Sequence, residues 1–124
     1  MRRVLYIIIG VALLCASSGQ RYEAKQVVGR FIEQNAVNPD LFKSKSYLKF
    51  DSTKVVGPAA IALMRRQADA DPLYKRGIHY EAEPTGAKLF YISMTYRYDT
   101  VSYRQTFYLD EQLQHVVAFK NAQQ

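Results

Sequence analysis

His79, Glu81 and Glu83 alternate along one short stretch of the chain, and in an extended strand that spacing aims all three side chains to one side. An imidazole beside two carboxylates suits general acid–base chemistry or metal ligation, because imidazole titrates near neutrality and paired carboxylates push each other's pKa values apart. The same alternation also describes the wetted face of an edge strand. His115 is the only other histidine, and its neighbours Leu113, Val117 and Phe119 predict a packed, hydrogen-bonded ring rather than a ligand. The sequence has no HxxxH, no HExxH and no Cys/His cluster, which argues against zinc. No Gly-x-Ser-x-Gly elbow is present, and the six glycines are too dispersed for a phosphate-cradling loop. His79, Glu81 and Glu83 therefore stand as weak catalytic candidates in a chain that reads as non-catalytic, with no motif that asks for a cofactor or a metal.

Tyrosine is the second chemical signal. The sequence has ten tyrosines and no tryptophan. Tyr91, Tyr96, Tyr98, Tyr103 and Tyr108 crowd into the last third of the chain, interleaved with Arg97 and Arg104. A tyrosine offers apolar area and a polar tip at low entropic cost, so it suits sugars, peptides and protein partners. Cross-strand aromatic pairs also stabilise sheets. Tyr91, Tyr103, Tyr108, Arg97 and Arg104 are the candidate contact residues.

The N-terminus carries the pattern of an export signal. Arg2 and Arg3 make a positive start, Val4 to Leu14 is almost unbroken apolar sequence, and Ala16, Ser17, Ser18 and Gly19 supply small residues for cleavage. Eleven apolar residues span roughly 16 Å as a helix. That is about half of a ~30 Å hydrocarbon core, too short for a permanent span. Residues 1–18 thus read as a signal peptide. Cleavage after Ser18 would discard Cys15 and release a soluble chain. A lipoprotein-type signal would instead acylate Cys15 and leave an anchor, although the bulky Leu14 departs from the small residue that such signals favour there. The protein is expected to be periplasmic, secreted, or held at the membrane through Cys15.

Seventeen basic residues against eleven acidic give a net charge of +6, which falls to +4 once Arg2 and Arg3 are removed. The excess is moderate and mostly scattered, with Lys43, Lys45, Lys49 and Lys54 as the nearest thing to a cluster. That pattern excludes a nucleic-acid partner and fits a solvated basic edge, or contact with anionic headgroups or surface polysaccharide. A lone cysteine cannot form a disulfide within the chain, so stability must come from a core.

The elements that would position these residues follow from periodicity. Ala24, Val27, Val28, Phe31 and Ile32 predict an amphipathic helix over Tyr22 to Asn35, stopped by Asn38 and Pro39. Ser46 to Thr53 predicts a strand with Leu48 and Phe50 on one face. Pro58 opens a second short helix whose stripe is Ile61, Met64 and Ala68. Residues 78–83 predict a strand, followed by a long one from Ala87 to Tyr98, another over Val101 to Leu109, and a last one from Leu113 to Lys120. Phe90, Ile92, Met94, Tyr96 and Tyr98 share one face of the long strand, while its other face starts apolar at Leu89 and ends polar at Arg97. The sum is one α+β domain over residues 22–120, with residues 121–124 as a loose tail. Its N-terminal helix packs on a curved antiparallel meander, and the second helix is inserted after the first strand.

This element order resembles the cystatin-like and nuclear-transport-factor-2-like superfamily of small exported bacterial proteins. The run Asn38 to Lys43 leading into Tyr47 to Phe50 looks like the helix-to-strand join of such domains, and Thr95, Tyr96, Arg97 with Thr106 to Asp110 is similar to their terminal hairpin. The resemblance implies a fold and no particular activity. The expected function is an exported envelope binding or accessory module contacting a protein, glycan or membrane-surface partner through its sheet face, with a homodimer through that sheet as one form. A small hydrolase or isomerase using His79 with Glu81 or Glu83 is the alternative, and an apolar-ligand carrier the second alternative.

Overall fold

Ala24, Val27, Val28, Phe31 and Ile32 recur at three- and four-residue steps, which a helix gathers onto one side. All five are buried, on the C-terminal turns of α1 (Arg2–Asn35). The computed structural model describes residues 2–81 and 88–122, with side chains from 19 onward. After α1 a single 3-10 turn at Pro39–Leu41 redirects the chain into β1 (Phe42–Thr53). Then come α2 (Pro58–Asp69), β2 (Leu89–Tyr98), β3 (Val101–Leu109) and β4 (Val116–Asn121). The four strands lie in the order β1-β2-β3-β4, each antiparallel to its neighbour. This is the α+β arrangement that the periodicities predict.

The main core lies between α1 and one face of the sheet. Ile92, Met94, Tyr96, Phe107, Leu109 and Phe119 meet Val28, Phe31 and Ile32 there. Phe31 sits edge-on to Phe107 and Phe119, with ring centroids 6.2 and 5.7 Å away. The interspace between helix and sheet is thus filled with aromatic rings. A second cluster occupies the opposite face, where Ile61 and Met64 of α2 cover Leu89, Tyr108, Val117 and Ala118. α2 takes only the apolar half of that face. Beyond the buried Ser93 and half-exposed Thr106, the polar half from Thr95 to Arg97 and from Arg104 to Ser102 is accessible.

Three sequence expectations are corrected. β1 begins at Phe42 rather than Ser46, and Leu48 does not share the inward face with Phe50. Tyr47 and Phe50 pack on the core, whereas Leu48 is exposed. Register shifts between Lys43 and Ser46 and between Tyr47 and Phe50 each place one extra residue in β1, and every such bulge resets the inside–outside alternation. Ser44 accommodates the first with a φ of 54°.

Residues 78–81 form no strand, and Glu83 lies outside the described residues. The segment after α2 instead crosses the end of α1. Val37 N–H donates to Leu73 O at 3.0 Å, and Lys75 N–H donates to Asn35 O at 2.8 Å. Gly77 then turns the chain with a φ of 69°. Ile78 and Tyr80 use their alternation to set two half-buried anchors on the core, unpaired with any of the four described strands. The last strand, finally, starts at Val116, and His115 belongs to the turn before it.

Candidate functional site

Directly opposed residues of an antiparallel sheet share a face, so the register shows which candidates meet. Tyr91 lies opposite Tyr108, Ser93 opposite Thr106, Thr95 opposite Arg104 and Arg97 opposite Ser102. Four of the five predicted contact residues, Tyr91, Arg97, Arg104 and Tyr108, therefore share the face that α2 half covers. Tyr103 does not join them. It opposes Tyr96 on the core face, with the two rings stacked at 5.5 Å.

Neighbouring strands add more charge to the open half. Lys43 lies opposite Arg97, and Lys120 lies opposite Thr106. The Lys49 ammonium stands 6.0 Å from the centre of the Tyr91 ring, and that of Lys120 stands 5.8 Å from the Tyr108 ring. Lys43, Lys49, Arg97, Arg104 and Lys120 are all exposed. Asp51, opposite Tyr91, brings a carboxylate, and its Oδ1 accepts from Ser52 N–H at 2.8 Å. Among the described residues no ion pair neutralises any of the five cations. Hydroxyls lie between them, including Ser93 and Thr106, whose oxygens are 3.0 Å apart. The result is a basic surface bordered by the half-buried Tyr91, with Tyr108, a predicted contact residue, buried beneath α2 instead of exposed on it.

Comparison with known protein families, curated proteins and solved structures finds no match. What the chain can do must follow from its own geometry.

The predicted acid–base residues lead to a second place, a cleft of about 320 Å³ against the outer side of α1. Arg30, Gln34 and Asn35 come from α1, His79 and Glu81 from the loop after α2, and Gln114 and His115 from the turn before β4. His79 and Glu81 thus meet in one cleft although the strand expected to align them is absent. His115 joins them. Its Nδ1 lies 3.0 Å from Glu81 Oε2, and its side chain is 38% exposed rather than packed in a strand. The turn that carries it is fixed by Asp110, whose Oδ1 accepts from the backbone N–H groups of Gln114 and His115 at 2.7 and 3.1 Å.

The other wall is held by Tyr80. Its ring stacks against Phe31 with centroids 6.1 Å apart, and the Arg65 guanidinium lies 4.4 Å from its centre. Burial pushes the Tyr80 phenol up to about 12, with Arg65 pulling the other way and Asp69 adding to the rise. Among the described residues no three His, Cys, Asp or Glu side chains gather closely enough to hold a metal ion. No helix among them is long and apolar enough to cross a membrane. The side chain of Cys15 lies outside those described.

Sequence reasoning missed Arg30 and Gln114, and it placed His115 apart from Glu81. Nothing local marks a contact between residues 34 positions apart. The lysines of the sheet face did leave a signal, since Lys43 and Lys49 belong to the one basic cluster the sequence shows.

Proposed function

We propose that the chain is an exported, non-catalytic binding module that docks on an anionic membrane surface through the open half of its sheet. One observation carries this reading: Lys43, Lys49, Arg97, Arg104 and Lys120 stand on one face, and among the described residues no carboxylate is paired to them. Unpaired cations on a flat surface repel one another, and an anionic partner relieves that repulsion. Lipid headgroups suit the geometry because the five cations are spread over all four strands, with the half-exposed Thr95 and Thr106 between them. A signal peptide, or an acyl chain on Cys15, would deliver the domain to that surface, and a basic patch with one acyl chain forms a stable two-part anchor.

A vesicle-binding measurement tests the proposal. A chain starting at Gly19 keeps every residue of the core, whose first member is Ala24. It should bind vesicles containing phosphatidylglycerol, release them in high salt and ignore pure phosphatidylcholine. Reversing Arg97 and Arg104 to Glu should weaken binding by about thirtyfold or more, since a basic residue near an anionic surface is worth about 1 kcal/mol. Equal binding to both lipids, or none, overturns the proposal.

A hydrolase or isomerase reading draws on the Glu81–His115 pair beside His79, an arrangement in which a carboxylate orients an imidazole base. The described lining includes no serine, threonine or cysteine, so such chemistry would rest on water activated by that base.

A further inference from the structure

The cleft beside α1 is separate from the sheet face and is lined mainly by polar residues. Its floor is apolar, made by Val27, Phe31 and Val116, and polar groups from three separate segments converge above it. Its volume of about 320 Å³ falls in the general range of small-ligand pockets, and the seven polar residues of its described lining suit a small polar ligand. Among the described lining residues there are one carboxylate, Glu81, one guanidinium, Arg30, and two imidazoles, His79 and His115. Glu81 is engaged with His115 through Oε2. Among the described residues the Arg30 side chain makes no hydrogen bond or ion pair.

Part of the cleft, the turn bearing Gln114 and His115 together with Asn35, is held in place before any ligand arrives. Asp110 fixes the backbone of Gln114 and His115, Glu81 fixes the His115 ring, and Asn35 donates from Nδ2 to Phe31 O at 3.0 Å. Preorganisation of this kind lowers the cost of binding.

We infer that this cleft binds a small organic monocarboxylate with a compact apolar body. Arg30 takes the carboxylate through its two-pronged N–H geometry, which fits the two oxygens of such a group. His79 and the second ring nitrogen of His115 lie on the same rim. The apolar body rests on Phe31, Val27 and Val116. Glu81 sets the charge limit, because its own negative charge repels a dianion while the guanidinium still attracts a monoanion.

The test is an NMR titration of the folded protein with four probes: benzoate and isovalerate as monoanions, benzyl alcohol as a neutral shape match, and phenyl phosphate as a more highly charged one. Benzoate or isovalerate should give saturable shifts at Arg30, His79, Gln114 and His115, with benzyl alcohol at least tenfold weaker. Arg30→Gln should weaken benzoate by roughly ten- to a hundredfold, the range for a lost charged hydrogen bond. Glu81→Gln should improve phenyl phosphate relative to benzoate, a readout that mere loosening of the cleft would not produce. Silence from both monoanions, equal binding of benzyl alcohol, or an Arg30→Gln variant that binds benzoate unchanged overturns the inference.

Discussion

Tyr74 donates its hydroxyl to Gln105 Oε1 at 2.8 Å inside the core, which ties the segment after α2 to the middle of β3. The link continues outward in one direction. Gln105 Nε2 donates to Asn121 Oδ1 at 2.6 Å, and Asn121 Nδ2 donates to Asp71 Oδ2 at 3.2 Å. A chain of donors that ends on a carboxylate is polarised throughout, and it leaves the buried Gln105 amide satisfied at both ends. Tyr74→Phe removes the first donor and strands Gln105 Oε1 in the core. The expected loss is about 1–3 kcal/mol by chemical denaturation. The double variant Tyr74→Phe with Gln105→Leu should lose less than the sum of the two single changes, since the cost lies in the orphaned partner.

Alkaline pH should unfold the protein through the same neighbourhood. Burial raises the pKa of Tyr74 well above its ordinary value, with Tyr96 and Asp71 adding to the rise, and it raises that of Tyr96, with Asp71 and Tyr103 adding. Tyr80 is pushed up to about 12. In the unfolded chain these phenols lose protons near pH 10, whereas the folded protein keeps them longer. The folded state therefore binds more protons between those values, and stability must fall as pH rises. The denaturation midpoint should show no loss from these groups below about pH 10 and then drop towards pH 12. Tyr80→Phe should flatten part of that drop.

Backbone geometry predicts a further sensitivity at the β2–β3 hairpin. Asp99 turns it with a φ of 59°, a region where aspartate is tolerated and β-branched residues are not. Asp99→Val should destabilise by about 1–2 kcal/mol. The same turn sets the register that opposes Tyr98 to Val101 and Arg97 to Ser102. Slippage would also scatter the basic face, so vesicle binding by this variant should fall along with its melting temperature.

Legibility of the fold in the sequence depended on the range of the forces involved. α1 and α2 could be read because one helix face is a local property, and Ile61, Met64 and Ala68 are the buried residues of α2. The alternation of β3 is equally local, and it puts Gln105 on the inward side with Phe107 and Leu109. β1 misled at Leu48 because its bulges follow from pairing with β2, which periodicity within β1 cannot report. Residues 78–81 misled because alternation marks which side chains are buried, not whether a neighbouring strand exists. The cleft was half visible. His79 and Glu81 stood out by type and spacing, but Arg30 and His115 reach them only through the crossing of the 71–81 segment over α1.

Arg65 offers the sharpest check on how that segment is held. Its Nε–H donates to Val117 O at 2.9 Å while its guanidinium lies over the Tyr80 ring, so a single side chain joins α2, β4 and the loop bearing His79 and Glu81. Both contacts use the planar shape of the group as well as its charge. Arg65→Lys keeps the charge but loses the flat stack and the fixed donor direction, and it should behave more like Arg65→Ala than like the parent. The expected loss is about 1–3 kcal/mol, the range for a hydrogen bond made by a charged group. The effect should also be uneven. Amide hydrogen exchange should quicken most at Lys75, whose N–H bond to Asn35 O ties that segment to α1, and much less at Ile92 or Phe107 in the α1-facing core. Uniform quickening across the sheet would instead make Arg65 a general prop for the fold, with no special hold on the cleft.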